Sequence, residues 1–402
     1  MRYTRFAGLL LSLLLLAQWA SAQSTLSGQV LDAQTRKPLE MANVFFANTT
    51  VGTPTDAQGN FTFPTLKPGS YTLVVSYLGY QLYKQTITVA DAPQTFIIQL
   101  APTINQLSEV VVRPHRNRPA DYARFAQRFL GSSSFSKQCK IRNPDGVVVE
   151  YDAQKDVLTA YTPYQLQVDN EALGYRVTFY DLDFQVNYGQ QTTYTDSQVS
   201  FQDLTPRNER QRRRWAENRQ RAYHGSFMHF LRSVYHDEVD AAGFRVQRLR
   251  REVNQRRAWS DTFMLTHSIL GVRNRGLPMA VVHALREPPI TSALSPEELP
   301  IDSLRRRAPT QTWLRFQGLM AVTYEGEEKD AMYQRLFPGP KTDSKTQRSV
   351  VRLRTPEAEV AAAGVVRTIG AVVTEGYWGF ERVGELLPQD YQPPALELRM
   401  KR

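Results

Sequence analysis

The sequence predicts a multidomain protein: an N-terminal all-β sandwich followed by a larger mixed α+β, β-rich region. Three observations carry this. The chain has 402 residues, enough for two or three domains. Between residues 24 and 100, short alternating apolar runs recur about every ten residues with turn residues between them, the spacing of a sandwich. Beyond residue 120, further strand-like runs flank one long stretch of helical periodicity, Asn208 to about Val239.

The composition, 42% hydrophobic and 22% charged, is that of a globular protein. A single cysteine, Cys139, excludes an intramolecular disulfide and any cysteine-rich zinc module. Residues 1–22 read as an export signal. Arg2 and Arg5 precede an apolar run from Phe6 to Ala17, and Ala20-Ser21-Ala22 fits a cleavage site. The run falls short of the roughly 20 residues of a membrane-spanning helix. The mature chain is therefore expected to have no transmembrane span and to act in the periplasm or at the outer membrane.

The first domain is expected over 23–103. Leu26 to Leu31, Ala42 to Ala47, Phe61 to Phe63, Tyr71 to Tyr77, Thr86 to Val89 and Thr95 to Leu100 read as strands. Asp56-Ala57-Gln58-Gly59-Asn60 is a hairpin-type turn in which Gly59 is free to take a positive φ. Lys67-Pro68-Gly69 is a second turn.

Gly28-Gln29-Val30-Leu31-Asp32, Pro38-Leu39, Ala42-Asn43-Val44, Gly59-Asn60-Phe61, Gly69-Ser70-Tyr71 and Ser76-Tyr77-Leu78-Gly79-Tyr80 together resemble the carboxypeptidase-regulatory-like domain. The resemblance implies a non-catalytic transthyretin-like sandwich, common at the N-termini of exported Bacteroidetes proteins. It does not imply peptidase activity. A zinc carboxypeptidase needs an H-x-x-E motif, and none of His115, His224, His229, His236, His267 and His283 has Glu three residues later. A nutrient transporter of the same kind needs a plug and a large barrel, for which the residues after Val112 are too few. Residues 104–119 read as a linker, with Leu107 to Val112 similar to the segment that follows the sandwich in those transporters.

In the region 120–402, Asp121 is placed to cap a helix to Leu130 with Tyr122, Phe125 and Phe129 on one face. Gly131-Ser132-Ser133-Ser134 lacks a nucleophile-elbow frame and reads as a polar loop. Val147 to Tyr151, Val157 to Tyr161, Tyr164 to Val168, Tyr175 to Tyr188 and Thr192 to Leu204 read as strands. On them Asp181, Asp183 and Asp203 are candidate acids. The expected 208–239 helix gathers Trp215, Tyr223, Phe227, Phe230, Leu231 and Val234 on one arc. Arg210, Arg214, Arg221 and Arg232 lie opposite, while Arg219 falls inside the arc. Its run from Trp215 to Arg232 resembles uncharacterised Bacteroidetes proteins that carry the same N-terminal domain. Later, Phe244 to Leu249, Trp313 to Tyr324 and Gln347 to Leu353 read as strands. Residues 286–311 read as an irregular connection in which Ser295-Pro296-Glu297-Glu298 starts a short helix. Glu375-Gly376-Tyr377-Trp378-Gly379-Phe380-Glu381-Arg382 is an aromatic motif suited to plugging a sheet edge.

Arg207 to Arg257 holds 14 Arg and 6 acidic residues. Export argues against nucleic acid as the partner of this stretch and favours anionic lipid, glycan or an envelope protein. Arg210, Arg214, Arg219, Arg221 and Arg232 are the candidate contacts. No catalytic, cofactor or metal set emerges. The expected function is binding or assembly in the cell envelope. The alternative is a hydrolase whose dispersed site uses His224, His229, Asp181 and Asp183.

Overall fold

The computed structural model describes residues 25–63, 69–89, 92–103, 117–266, 277–309, 311–338 and 346–394. The expected export signal and residues 104–116 of the expected linker lie outside these. The described residues form two compact units. The first draws on Met1–Phe129, Gln138–Arg212 and Asp390–Gln392, the second on Leu130–Lys137, Arg213–Gln389 and Pro393–Arg402.

In the first unit, β1 (Leu26–Asp32), β4 (Asn60–Phe63) and β7 (Gln94–Leu100) form one sheet in the order β4-β1-β7. The strands β2 (Asn43–Phe46), β3 (Gly52–Pro54), β5 (Gly69–Ser76) and β6 (Tyr83–Val89) form a second, ordered β3-β2-β5-β6. Alternate residues of both sheets, among them Leu26, Val30, Val44, Phe46, Leu73 and Ile98, close the sandwich core. Gly59 takes φ 75°, and a Cβ there would stand 2.6 Å from the Val30 carbonyl oxygen, so the turn requires glycine. The run Asn43-Val44-Phe45-Phe46 does not alternate, and its last three residues are all buried. A strand of this kind needs cover on both faces.

That cover is a third sheet. Its strands are β8 (Cys139–Ile141), β9 (Val148–Asp152), β10 (Val157–Tyr161), β11 (Gln165–Asn170), β12 (Tyr175–Asn187) and β13 (Thr192–Asp203). They run β8-β11-β12-β10-β9, with β13 also paired to β12. The register of β12 with β13 breaks between Tyr180 and Asp183, where Asp181 takes φ 53°. This bulge reverses the alternation along β12. Phe179 before it and Phe184 after it, which plain alternation would place on opposite faces, both meet the helix α1 (Pro119–Leu130). Phe129 stands edge-on to Phe179 at 4.9 Å and Phe125 to Phe184 at 5.4 Å. Tyr180 faces the other way and stacks on Phe45 at 4.8 Å, with Ala47 and Val74 beside it. The Asn43 side-chain amide donates to the Tyr180 hydroxyl at 2.7 Å. Backbone hydrogen bonds from Asn48 N–H to Val199 and from Phe201 N–H to Thr49 complete the junction. The helix α1 begins at Pro119, earlier than the cap expected at Asp121, because proline suits the first helical position.

In the second unit, the helix expected over 208–239 is two helices, α2 (Glu209–Tyr223) and α3 (Phe227–His236). The break is chemical. Gly225 takes φ 76°, a helix-ending conformation, and Ser226 caps the next helix by accepting from His229 N–H at 3.1 Å. Periodicity alone reads through such a break.

The strands β14 (Phe244–Val253), β15 (Ile290–Glu298), β18 (Leu319–Tyr324), β19 (Gln347–Leu353) and β22 (Val372–Gly376) form a sheet ordered β15-β14-β18-β19-β22. A smaller sheet runs β16 (Arg305–Ala308), β17 (Gln311–Leu314), β20 (Ala358–Ala361) and β21 (Val365–Val366). Phe230, Leu231 and Val234 of α3 enter a core with Phe244, Val322, Val351, Val360 and Trp378. The helices α4 (Gln255–Thr266), α5 (Met279–Arg286), α6 (Ala331–Leu336) and α7 (Tyr377–Phe380) complete the described elements of this unit.

The short helix expected from Ser295 is instead part of β15. Its register with β14 shifts between Gln247 and Leu249, so Pro296 sits in an irregular stretch of an edge strand, where a missing N–H is tolerated. The strand expected over Trp313 to Tyr324 is divided at Gly318, which takes φ 80°.

The sandwich and the third sheet depend on the Phe45–Tyr180 stack. Chemical unfolding of Tyr180→Phe should show a loss of about 1 kcal/mol from the Asn43 hydrogen bond. Phe45→Ala should cost about 3–5 kcal/mol, the usual result of truncating a buried phenylalanine.

Candidate functional site

Two features stand out, one in each unit. In the first, the sandwich and the third sheet enclose a cleft of about 890 Å³. Tyr77 and Gln81 come from the sandwich side. Tyr164, Gln165, Gln167 and Gln202 come from the third sheet, with Thr178, Tyr180 and Ser200 at the junction. Tyr164 is 64% exposed and offers an uncovered ring. Among the described residues, the charged side chains lining the cleft are Asp181 and Asp203, and the Lys84 ammonium donates to Asp181 at 2.7 Å. Hydroxyls, amides and tyrosine rings make a surface for recognising a polar ligand.

In the second unit a polar cluster surrounds a void of about 30 Å³, room for one water. Glu381 and Glu385 follow α7, and Glu327 and Asp330 precede α6. Arg221 of α2, Tyr377 and Phe135 complete the lining. The Ser133 hydroxyl donates to Glu385, whose other oxygen accepts from Arg382 N–H at 3.1 Å. Ser134 donates to Asp330 through its hydroxyl and, at 3.2 Å, its backbone N–H. Burial pushes Glu385 up to about 7 against the effect of these donors. Burial also raises Glu327 to about 7, opposed by Arg221. Glu381 is raised well above the usual carboxylate range by burial first, then by Glu385 and Glu327. No group of His, Cys, Asp or Glu among the described residues is arranged to hold a metal ion.

The candidate arginines divide. Arg210 and Arg214 are exposed on α2 and Arg219 is part-buried. Arg221 is exposed, with its guanidinium 5.4 Å from the Phe135 ring centre. Arg232 is a correction: it is 7% exposed, not on a water-facing stripe. Its Nε donates to the Ala363 carbonyl at 3.0 Å and an Nη to that of Gln389 at 2.9 Å. The short helix α3 is packed on most of its circumference, so its arginine serves as a clamp on backbone carbonyls.

Asp181 and Asp183 are exposed in the first unit. His224 and His229 belong to the second, with ring centres 5.4 Å apart. His229 lies among Tyr223, Phe244 and Tyr324, and its Nδ1 accepts from Gly225 N–H at 3.2 Å. That acceptor role requires the neutral ring. Burial, then His224 and Arg232, push it down to about 4, and burial lowers His224. Neither imidazole has a hydrogen bond or ion pair to a carboxylate among the described residues.

Sequence reasoning passed over Ser133, Ser134, Glu327, Glu381 and Glu385. The one local signal was a glutamate at the end of the Gly-aromatic run 376–380.

Because His229 is neutral in the fold, its contribution to stability should be full above pH 6.5. It should fall by about 1.4 kcal/mol per unit as acidification toward pH 4 protonates the unfolded chain preferentially. The measurements are NMR titration of the His229 ring and unfolding against pH. His229→Phe should flatten that acid limb.

Residues 26–112 match the model of the CarboxypepD_reg-like domain family. No curated protein matches the chain. Among solved structures, it is similar to a type II cohesin–X-dockerin complex from Acetivibrio cellulolyticus at 20% identity and TM-score 0.17. That match covers 19% of this chain and 56% of that one, so the chain spans little more than half of its length. It is similar to Klebsiella pneumoniae 5-hydroxyisourate hydrolase at 23% identity and TM-score 0.18, over 20% of this chain and 91% of that one. It is also similar to a DUF3823 family protein from Bacteroides ovatus at 11% identity and TM-score 0.17, over 46% and 82%. The chain therefore carries a CarboxypepD_reg-like domain, the sandwich that its glycine and tyrosine pattern had led us to expect.

Proposed function

We propose that the protein is an exported, non-catalytic binding protein of the cell envelope, and that the cleft of the first unit is its ligand site. The observation that carries this reading is the cleft: about 890 Å³ lined by tyrosines, amides and hydroxyls. The N-terminal residues 1–22 support export, to the periplasm or the outer membrane. No helix of the described residues is long and apolar enough to cross a membrane. A second reading rests on the exposure of Arg210 and Arg214, which offers a contact for anionic lipid, an acidic glycan or an acidic envelope protein.

The two readings differ in salt dependence, since exposed charge contacts are screened within about 10 Å at 0.1 M salt. Tagged protein is used to capture ligands from a cell-envelope extract at low and high salt, and the recovered ligand is then titrated in purified form. The cleft reading expects binding that survives high salt and weakens roughly fivefold to tenfold in Tyr164→Ala or Gln167→Ala. Binding lost at high salt and in Arg210→Glu/Arg214→Glu would assign the ligand to the arginines. Failure to capture a ligand at either salt counts against both readings.

A further inference from the structure

We propose that the carboxylate cluster of the second unit is a pH-operated latch: neutral glutamates hold segment 131–136 against residues 377–385, and their ionisation lets it open. The proposal is independent of the ligand cleft. It stands first on geometry. Gly131 takes φ 98°, and a Cβ there would come within 2.9 Å of the Arg382 Cβ. A Cβ on Gly384 would come within 2.7 Å of the Ser136 backbone nitrogen. The two segments therefore touch at backbone distance and carry glycine where they meet. Two polar ties from segment 131–136 end on carboxylates. Ser133 donates to Glu385 and Ser134 to Asp330, while the Ser136 hydroxyl donates to the Leu130 carbonyl at 2.8 Å.

The charged and titratable groups lining the void among the described residues are mostly acidic. Glu327, Glu328 and Asp330 precede α6, Glu381 and Glu385 follow α7, and Tyr377 lies between them. Among the described residues Arg221 of α2 is the one cation lining the void; Arg382 lies against Gly131 on the seam, the Lys137 ammonium meets the Met332 sulfur at 3.0 Å, and the Lys329 ammonium lies over the Tyr333 ring at 5.9 Å. One arginine cannot neutralise three glutamates confined around a void the size of a water molecule. Like-charged carboxylates at such a site cannot all ionise while the seam stays shut. The Glu381 carboxyl group has no hydrogen bond or ion pair among the described residues, so nothing offsets its charge when its proton leaves. Opening admits water to the carboxylates and exposes Phe135 and Phe380.

The sign follows from the raised values. A carboxyl group that holds its proton more tightly in the closed form favours closure below its ordinary value near 4.5. It favours opening progressively as pH rises from there to about 7, where Glu327 and Glu385 lose theirs in the closed form as well and their effect levels off. The latch is shut in acid and loosened at mildly alkaline pH.

The test is hydrogen exchange of the whole protein from pH 5 to 9, corrected for intrinsic base catalysis and followed in peptides covering 131–137 and 381–387. Opening should rise by up to about tenfold per pH unit for each glutamate that titrates, and peptides from the first unit should not follow it. Glu381→Gln, which fixes the neutral form, should lower the slope and retain protection at pH 8–9. A flat profile in the unaltered protein would overturn the proposal, as would a Glu381→Gln profile that coincides with it. If the variant does not fold, the profile of the unaltered protein decides the matter.

Discussion

The first unit depends on one irregularity, the bulge that spans Asp181 and Leu182 in β12. A regular strand sends successive side chains to opposite faces, so Phe179 and Phe184 could not share a partner. The one-residue offset lets both rings meet α1 while Tyr180 turns to Phe45. One strand thus binds a helix on one face and the sandwich on the other. The cleft is the space that remains beside that junction, so its tyrosines and amides are positioned by the same bulge. The left-handed backbone at Asp181 falls on a residue type that tolerates it.

The second unit is built on different physics. Its core is apolar around α3, yet polar groups are confined beside it, and they titrate in opposite senses. The His229 ring is neutral because aromatic walls disfavour its charged form, which favours the fold as pH rises. The glutamates are driven toward their neutral forms for the same reason, and this favours the fold as pH falls. Desolvation is the common cause, and the sign differs only because the neutral form of histidine has lost its proton while that of glutamate has kept it. Arg232 avoids the problem by spending its donors on carbonyls.

The sandwich was legible in the sequence because its information is local. Asp56 to Asn60 encodes a turn, and the flanking residues alternate with the sheet's own period. The strand at Ala42 to Ala47 was legible too, but not that its Val44-Phe45-Phe46 run is covered on both faces. The helix break at Gly225-Ser226 was legible in principle, but an apolar arc that continues on both sides conceals it. The β12 bulge hides for a related reason: a phase shift inside a strand rich in apolar residues looks like continued alternation. The carboxylate cluster was out of reach. Ser133 and Glu385 are 252 positions apart, and a serine run following a helix reads as a wet loop until the fold buries it.

The chain passes between the two units five times, at residues 129, 137, 212, 389 and 392. This gives the molecule an interleaved connectivity rather than a beads-on-a-string one. Neither unit corresponds to a single uninterrupted stretch of gene, so no one pair of end points excises either intact. A nick near residue 130 or 137 would sever backbone belonging to both. Synthesis from the N-terminus cannot complete the first unit before residues 213–389 of the second have been made, because Asp390 supplies its carboxylate to Thr50. A sandwich cut out by itself would also lose the cover of Phe45, which comes from Tyr180 of the third sheet.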